Sequence, residues 1–466
     1  MSLKRYFATA DNSITNAYGP DGATRATDSN TGEADVLEVF SNYGDVISGS
    51  MELSRILIQF DVSKIVQDIT DEVIPSTGVT WHLKMYNTEH GLTNPKDFSI
   101  EVNPLLEEWE EGYGVDLDDH GDDIKNFGSS WTNRNPTTTW TTPGGEYNAS
   151  STAQKLFVTG LEDLNVDVTT MVAAHIASPS TNKGFIVRMT TTEEGGNVSY
   201  YTKRFFARSS EFYYKRPILE ARWDASIKDD RGSFYASSSL APASDNLNSL
   251  YLYNRIRGRL KNIPVVGTNP IEVTLYNTLG GAPIGTTFTG SHISTGIYKC
   301  DVYAETTGST IYDVWSSGSV EYHTGTIAVK NFEDDETINK YILKISNAKN
   351  YYSNVGTQRF RLYARPKDWS PTIYTVAKSK PETTIIPSAS VEITRTIDGE
   401  MIIPHGTGST QHTVMSYDVD GNYFDLDMTI FEPGYDYGIA FAFYDDDVKT
   451  WQDQGYKFRF KVRDDE

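Results

Sequence analysis

Tyr456-Lys-Phe-Arg-Phe-Lys-Val-Arg463 decides the class of fold. Tyr456, Phe458, Phe460 and Val462 alternate with Lys457, Arg459, Lys461 and Arg463. Successive side chains of a strand point to opposite faces, so this period of two sets an apolar row against a cationic row, which a helix would mix. The same alternation recurs in Ser54-Arg-Ile-Leu-Ile-Gln-Phe60, Val79-Thr-Trp-His-Leu-Lys-Met85, Gly184-Phe-Ile-Val-Arg-Met189 and Ile218-Leu-Glu-Ala-Arg-Trp223. It continues through Leu252–Ile263, Ile271–Tyr276, Gly296–Val302, Ser319–Val329, Tyr341–Ile345, Gln358–Ala364, Ile373–Ala377, Val391–Thr396, Tyr423–Met428 and Tyr437–Phe443. Gly, Pro, Asn, Asp and Ser separate these runs, as turns require.

The pattern predicts an all-β chain of three consecutive β-sandwich domains, 1–227, 228–332 and 333–466. The first is expected to be jelly-roll-like, the other two immunoglobulin-like or jelly-roll-like. Asp229-Asp-Arg-Gly232 and Glu333-Asp-Asp-Glu336 mark the divisions. Two short helices are expected, one after Asp61 with Val62, Ile65, Val66 and Ile69 on one face, the other after Asp167 with Val168, Met171, Val172 and Ile176. The stretch 106–160 reads as a long irregular loop carrying Trp109, Trp131 and Trp140. Such an excursion often needs a partner to be ordered, which makes it the first candidate interface.

The chain of 466 residues holds 63 acidic and 41 basic residues, a formal charge of −22. That surface repels duplex nucleic acid and anionic membranes. The single cysteine, Cys300, excludes an intramolecular disulfide and reads as a buried thiol. Met1-Ser-Leu-Lys-Arg-Tyr-Phe-Ala lacks an apolar core, and no run approaches a membrane span. The expectation is synthesis in a cytoplasm without a secretion signal.

Catalytic signatures are missing: no nucleophile elbow, phosphate loop or dinucleotide fingerprint is present, and the chain reads as non-enzymatic. Glu107, Glu108, Glu110 and Glu111 flank Trp109 and read as a solvated loop beside a core aromatic. The eight histidines are scattered, without ligand spacing. Asp116-Leu-Asp-Asp-His-Gly-Asp-Asp123 stands solvated or offers Asp116, Asp118, Asp119 and Asp122 as oxygen ligands to calcium; the sequence implies no other cofactor. Asp418-Val-Asp-Gly-Asn422 begins like a calcium loop, but its glycine comes too early, so a turn into the next strand is expected. Three rows of alternating cations stand out: Arg255, Arg257, Arg259 and Lys261; Arg359, Arg361 and Arg365; and Lys457 to Arg463. They either pair with acids of their own domain, meet acidic patches of neighbouring subunits, or contact nucleic acid.

A series of fragments resembles the DNRLRE-type, carbohydrate-binding-module-like β-sandwich. In order they are Ala10-Asp-Asn-Ser-Ile-Thr-Asn16, Leu37-Glu-Val39, Ser54-Arg-Ile-Leu-Ile-Gln-Phe-Asp61, Leu83-Lys-Met-Tyr86, Glu108-Trp-Glu-Glu-Gly112, Val166-Asp-Val-Thr169 and Arg216-Pro-Ile-Leu-Glu220. The whole chain is similar to virion structural proteins of marine tailed bacteriophages. Lys4-Arg-Tyr-Phe-Ala-Thr-Ala-Asp11, Tyr201-Thr-Lys-Arg-Phe-Phe-Ala-Arg208, Tyr312-Asp-Val-Trp-Ser-Ser-Gly318 and Gly421-Asn-Tyr-Phe-Asp-Leu-Asp427 carry that resemblance. It implies a capsid-, neck- or tail-associated part in the virion, with itself and other virion proteins as partners. It transfers no catalytic residue. The alternative is a glycan-binding adhesion module for a host surface glycan, displayed on a virion or cell surface. Candidate contact residues for either role are Trp109, Trp131, Trp140, Arg255, Arg257 and Arg259.

Overall fold

The computed structural model describes residues 2–19, 21–44, 46–88, 95–115, 128–330, 341–367, 369, 373, 383–408, 410–446 and 448–464. The chain is all-β, with short α-helices at Val62–Thr70, Thr169–Ala177 and Thr191–Gly195 among the described residues, and divides into two compact units, Leu3–Trp223 and Asp224–Glu466 together with Met1–Ser2.

In the first unit a four-stranded antiparallel sheet runs Leu3–Phe7, Ile218–Arg222, Thr80–Met85, Leu164–Asp167. A larger sheet runs Tyr200–Phe206, Val36–Tyr43, Met51–Gln59, Phe185–Met189, Phe98–Pro104, Ala153–Phe157, with Ala10–Thr15 also pairing Met51–Gln59. The two sheets enclose one apolar core: Trp81, Leu83 and Met85 from the small sheet meet Ile56, Ile58, Phe98, Ile100, Val102 and Val187 from the large one. Ala153–Phe157 pairs with Phe98–Val102, so the irregular stretch ends several residues earlier than its sequence suggests. Ala153 and Phe157 face the core on either side of Gln154-Lys-Leu156, whose exposed leucine blurs the alternation. The helix Val62–Thr70 starts where Asp61 accepts hydrogen bonds from the Ser63 and Lys64 amides. The helix Thr169–Ala177 follows Asp167, which accepts from the Thr169 amide at 2.8 Å.

The second unit holds two β bodies. One is a seven-stranded sheet in the order Phe234–Tyr235, Val320–Lys330, Thr310–Ser317, Ile271–Tyr276, Phe288–Ser294, Ile297–Val302, Asn248–Tyr253, around a core of Trp315, Tyr298, Val273, Leu275 and Cys300. Cys300 is buried, and burial pushes its thiol up to about 12. The other is a two-sheet sandwich. Its first sheet runs Tyr341–Ile345, Thr357–Pro366, Gly421–Asp427, Ser416–Asp418. Its second runs Tyr351–Ser353, Phe458–Arg463, Asp436–Asp445, Ala389–Arg395, Met401–Ile403. Aromatic rings fill this core: Phe360 stacks on Phe424 with centroids 5.2 Å apart and meets Phe460 at 5.6 Å. Rings in such offset and edge-on contact bury large apolar areas with little loss of rotamer freedom.

Leu252–Ile263 is not one strand. The chain leaves the sheet at Tyr253 and makes a small hairpin, Arg255–Ile256 against Arg259–Leu260. Arg257 and Gly258 occupy its turn at φ 52° and 80°. A two-residue turn with both φ positive matches the twist of a hairpin, and glycine enters that region without a steric cost. The expected strand Ile373–Ala377 lies, except for Ile373, outside the described residues.

Candidate interaction surfaces

The three tryptophans of 106–160 sit on the outer face of the large sheet of the first unit. With Ile14, Leu57, Leu105 and Ile186 they form a second apolar cluster. Their exposures are 8%, 7% and 4% for Trp109, Trp131 and Trp140. The Trp109 indole donates to the Lys183 carbonyl at 3.0 Å and the Trp140 indole to the Ser130 carbonyl at 2.9 Å. Arg55 lies 4.9 Å from the Trp131 ring centroid, donates to the Gly144 carbonyl at 2.8 Å and pairs with Glu194 at 2.6 Å. Arg188 bridges Glu101 at 2.7 Å and Glu194 at 3.3 Å, with its guanidinium 4.6 Å from the Tyr147 ring. Gly144, at φ 89°, lets the chain pass: a Cβ there would come within 2.7 Å of Trp131 and 2.8 Å of Arg55. The described part of this excursion packs on its own sheet, and its tryptophans are buried anchors rather than an exposed platform. Glu108 is held below the usual carboxylate range by its hydrogen bond to Lys183, while Arg208 pairs with Glu111 at 2.8 Å. Asp116, Asp118, Asp119 and Asp122 lie outside the described residues.

Two buried carboxyls of this unit, Asp11 and Glu52, have no cation at hydrogen-bond distance among the described residues. Asp11 accepts from the Arg208 backbone amide at 2.6 Å, and burial pushes it up to about 7. Glu220 is its opposite: Arg5 at 2.8 Å, Arg222 at 2.6 Å and Lys84 at 3.7 Å hold its carboxyl far below the usual range against a large burial penalty.

In the second unit the two β bodies are fastened along one seam. The Asp229 amide donates to the Tyr417 carbonyl at 3.1 Å, the Tyr417 amide to the Ile227 carbonyl at 2.9 Å and the Ile227 amide to the Ser416 hydroxyl at 2.9 Å. The Tyr417 hydroxyl donates to Asp230 at 2.8 Å, whose other oxygen accepts from the Ser249 amide at 2.7 Å. Burial pushes Asp229 up to about 6 and raises Asp230 as well. A cavity of about 260 Å³ opens beside this seam, lined by Asp230, Tyr235, Asp245, Asn246, Ile385 and Tyr417 among others. Both Asp230 oxygens are already engaged, so its chemistry there is fastening. Sequence reasoning did not find this seam, because its partners lie almost two hundred residues apart.

The three cationic rows meet different fates. Arg359 forms a two-point pair with Asp425 directly opposite it in register, at 2.7 and 2.8 Å. Arg361 does the same with Asp418 at 2.8 and 2.9 Å. Both guanidinium groups lie near the Tyr423 ring, at 4.1 and 5.2 Å. Asp418, at the head of the calcium-loop-like segment, is thus an ion-pair partner beside a tight turn that closes on the Asp418–Gly421 pair. In the third row Phe460 and Val462 are buried, Lys457 and Arg459 are exposed and Arg463 stacks 4.3 Å from the Tyr351 ring. The Arg255 row is on the hairpin: Arg255, Arg257, Arg259 and Lys261 are all exposed, and none forms an ion pair among the described residues.

No family model and no curated protein matches this chain. Solved structures similar to it include alpha-2-macroglobulin from Escherichia coli in its native conformation, at 8% identity and a TM-score of 0.16, covering 99% of this chain and 26% of that one. The trypsin-activated E. coli protein gives 8% and 0.16, with 88% and 23% covered. Salmonella alpha-2-macroglobulin reacted with methylamine gives 9% and 0.14, with 99% and 28% covered. The chain spans about a quarter of the length of these proteins, and at such TM-scores the likeness carries no argument.

Proposed function

We propose that this chain is a non-enzymatic structural protein of a tailed-bacteriophage virion, part of the capsid, neck or tail, that works by assembling with itself and with other virion proteins. The supporting observation is the seam. Backbone and side-chain bonds from Ile227–Asp230 to Ser416–Tyr417 join two β bodies of the second unit, a build that suits a load-bearing spacer. Acids withdrawn from solvent serve the same end: buried Glu220 and Asp313 and half-buried Glu194 each hold structural cations. The resemblance to marine phage virion proteins supplies the setting. Proteomics of purified particles tests this reading, with the chain expected at a fixed ratio to the major capsid protein. Its presence in infected-cell lysate together with its loss from purified particles would overturn it.

The glycan-binding alternative no longer has Trp109, Trp131 and Trp140 as a platform, since all three are buried. It would have to use exposed rings such as Tyr201 and Phe212. Binding to a glycan array that is lost in Tyr201→Ala would favour it.

A further inference from the structure

The Arg255–Lys261 hairpin is built with more care than a surface loop needs. The Asn254 amide donates to the Gly296 carbonyl at 2.8 Å, its side chain to the Lys261 carbonyl at 2.6 Å, and the Lys261 amide returns to the Asn254 carbonyl at 3.0 Å. Asn262 accepts from the Gly296 amide at 2.6 Å and lies 3.0 Å from His292 Nε2. Gly296, at φ 74°, is required there, because a Cβ would sit 2.6 Å from the Lys261 nitrogen. The base of the hairpin is therefore clamped to the sheet while its tip projects.

Cross-strand pairs share a face, and the pairs are Arg255 with Leu260 and Ile256 with Arg259. Cations thus emerge from both faces and, through Arg257, from the apex. Four like charges crowded on one short hairpin repel each other, so they do nothing for its folding. The acids that neutralise Arg359 and Arg361 have no counterpart here among the described residues. Ile256 is 40% exposed in their midst, an apolar contact waiting beside the charges.

We propose that this hairpin is a docking finger for an acidic protein surface, and that its occupant is a second copy of this chain. The argument is charge complementarity: the chain carries 63 acidic against 41 basic residues, so the remainder of another copy offers the acidic surface the finger lacks. At physiological salt the screening length is about 8 Å, which mutes the general repulsion between two acidic copies and leaves close pairs effective. A finger seated on a different surface of the next copy makes a head-to-tail contact, and such contacts close into rings or extend into filaments. The duplex is the poorer occupant, because its uniform negative charge meets the acidic remainder of the chain as well as the finger. The inference rests on the assembly reading above and deepens it by naming the surface.

Sedimentation velocity of the full chain over a concentration series at physiological salt tests it. The wild type should associate. The triple variant Arg255→Glu, Arg257→Glu, Arg259→Glu should stay monomeric, weakening association at least tenfold with an unchanged melting profile. The triple Arg→Lys variant should retain association, and molar salt should dissolve it. A wild type monomeric at every concentration would overturn the proposal, as would a charge-reversed variant that associates normally. Finger-dependent binding of a duplex DNA or heparin probe by a chain that does not self-associate would overturn it too, in favour of a polyanion. Particle incorporation is read separately, so a wild type that is monomeric at every concentration yet present in purified particles counts against the finger alone.

Discussion

Arg359-Phe-Arg361 and Arg255-Ile-Arg257 have the same pattern on paper and opposite fates in the fold. In the first, Phe360 and Leu362 are buried, and the arginines on the other face find Asp425 and Asp418 across the sheet. In the second, Gly258 stands where the next apolar residue should be, the chain reverses, and the arginines are left in solvent. Alternation alone states that two faces differ. Whether a charged row serves the fold or a partner depends on a cross-strand acid and on one glycine.

The contrast can be broken most strongly where charge is most deeply matched. Glu220→Gln leaves Arg5, Lys84 and Arg222 around a neutral amide and should destabilise the first unit by about 3–5 kcal/mol in denaturant titration. Its pH signature follows from a folded-state carboxyl lying below its unfolded value. The wild-type contribution is present at neutral pH and is lost as pH falls below about 4.5, whereas the variant should show no such loss from this site. Asp11, a buried acid with no cation at hydrogen-bond distance, runs the other way. Its carboxyl is raised to about 7, so the folded state holds the extra proton and stability falls as pH rises from about 4 through 7. Asp11→Asn should flatten that fall, gaining on the order of 2 kcal/mol relative to wild type between pH 5 and 8. Asp418→Ala frees a part-exposed Arg361 and should cost only about 1 kcal/mol in the same assay, less in high salt. At the far end, replacing Arg255, Arg257 and Arg259 together by Ala should change stability by no more than about 0.5 kcal/mol, since all three are exposed and none forms an ion pair among the described residues. A large loss there would show that the finger is part of the core after all.

Most strands were legible because burial is periodic: Trp81, Leu83 and Met85 enter the core in the order their spacing predicts, as do Val391 and Ile393. Asp61 was readable as a cap because its carboxylate is next to the amides it serves. The hairpin was misread because its turn pair, Arg257-Gly258, lacks the Asn or Asp that usually announces such a turn. The tryptophans were visible as residues but not as a cluster, since the Leu57 and Ile186 they cover point away from the main core. Ile56 and Val187 fill one face of their strands and Leu57 and Ile186 the other, so these strands are covered on both sides and lose part of their alternation. Pairings such as Asp230 with Tyr417 are set by topology and leave no mark on local sequence.

That last bond has a consequence for biogenesis. Tyr417 follows Asp230 by 187 residues. At about 5–20 residues per second, a ribosome needs roughly 10–40 s to deliver it. For that interval the Asp230 carboxyl and the Ile227–Asp229 backbone emerge ahead of their partner, and the middle of the nascent chain waits with an open flank. Slow translation lengthens that interval, and a chaperone that shields this segment would cover the open flank until Tyr417 arrives.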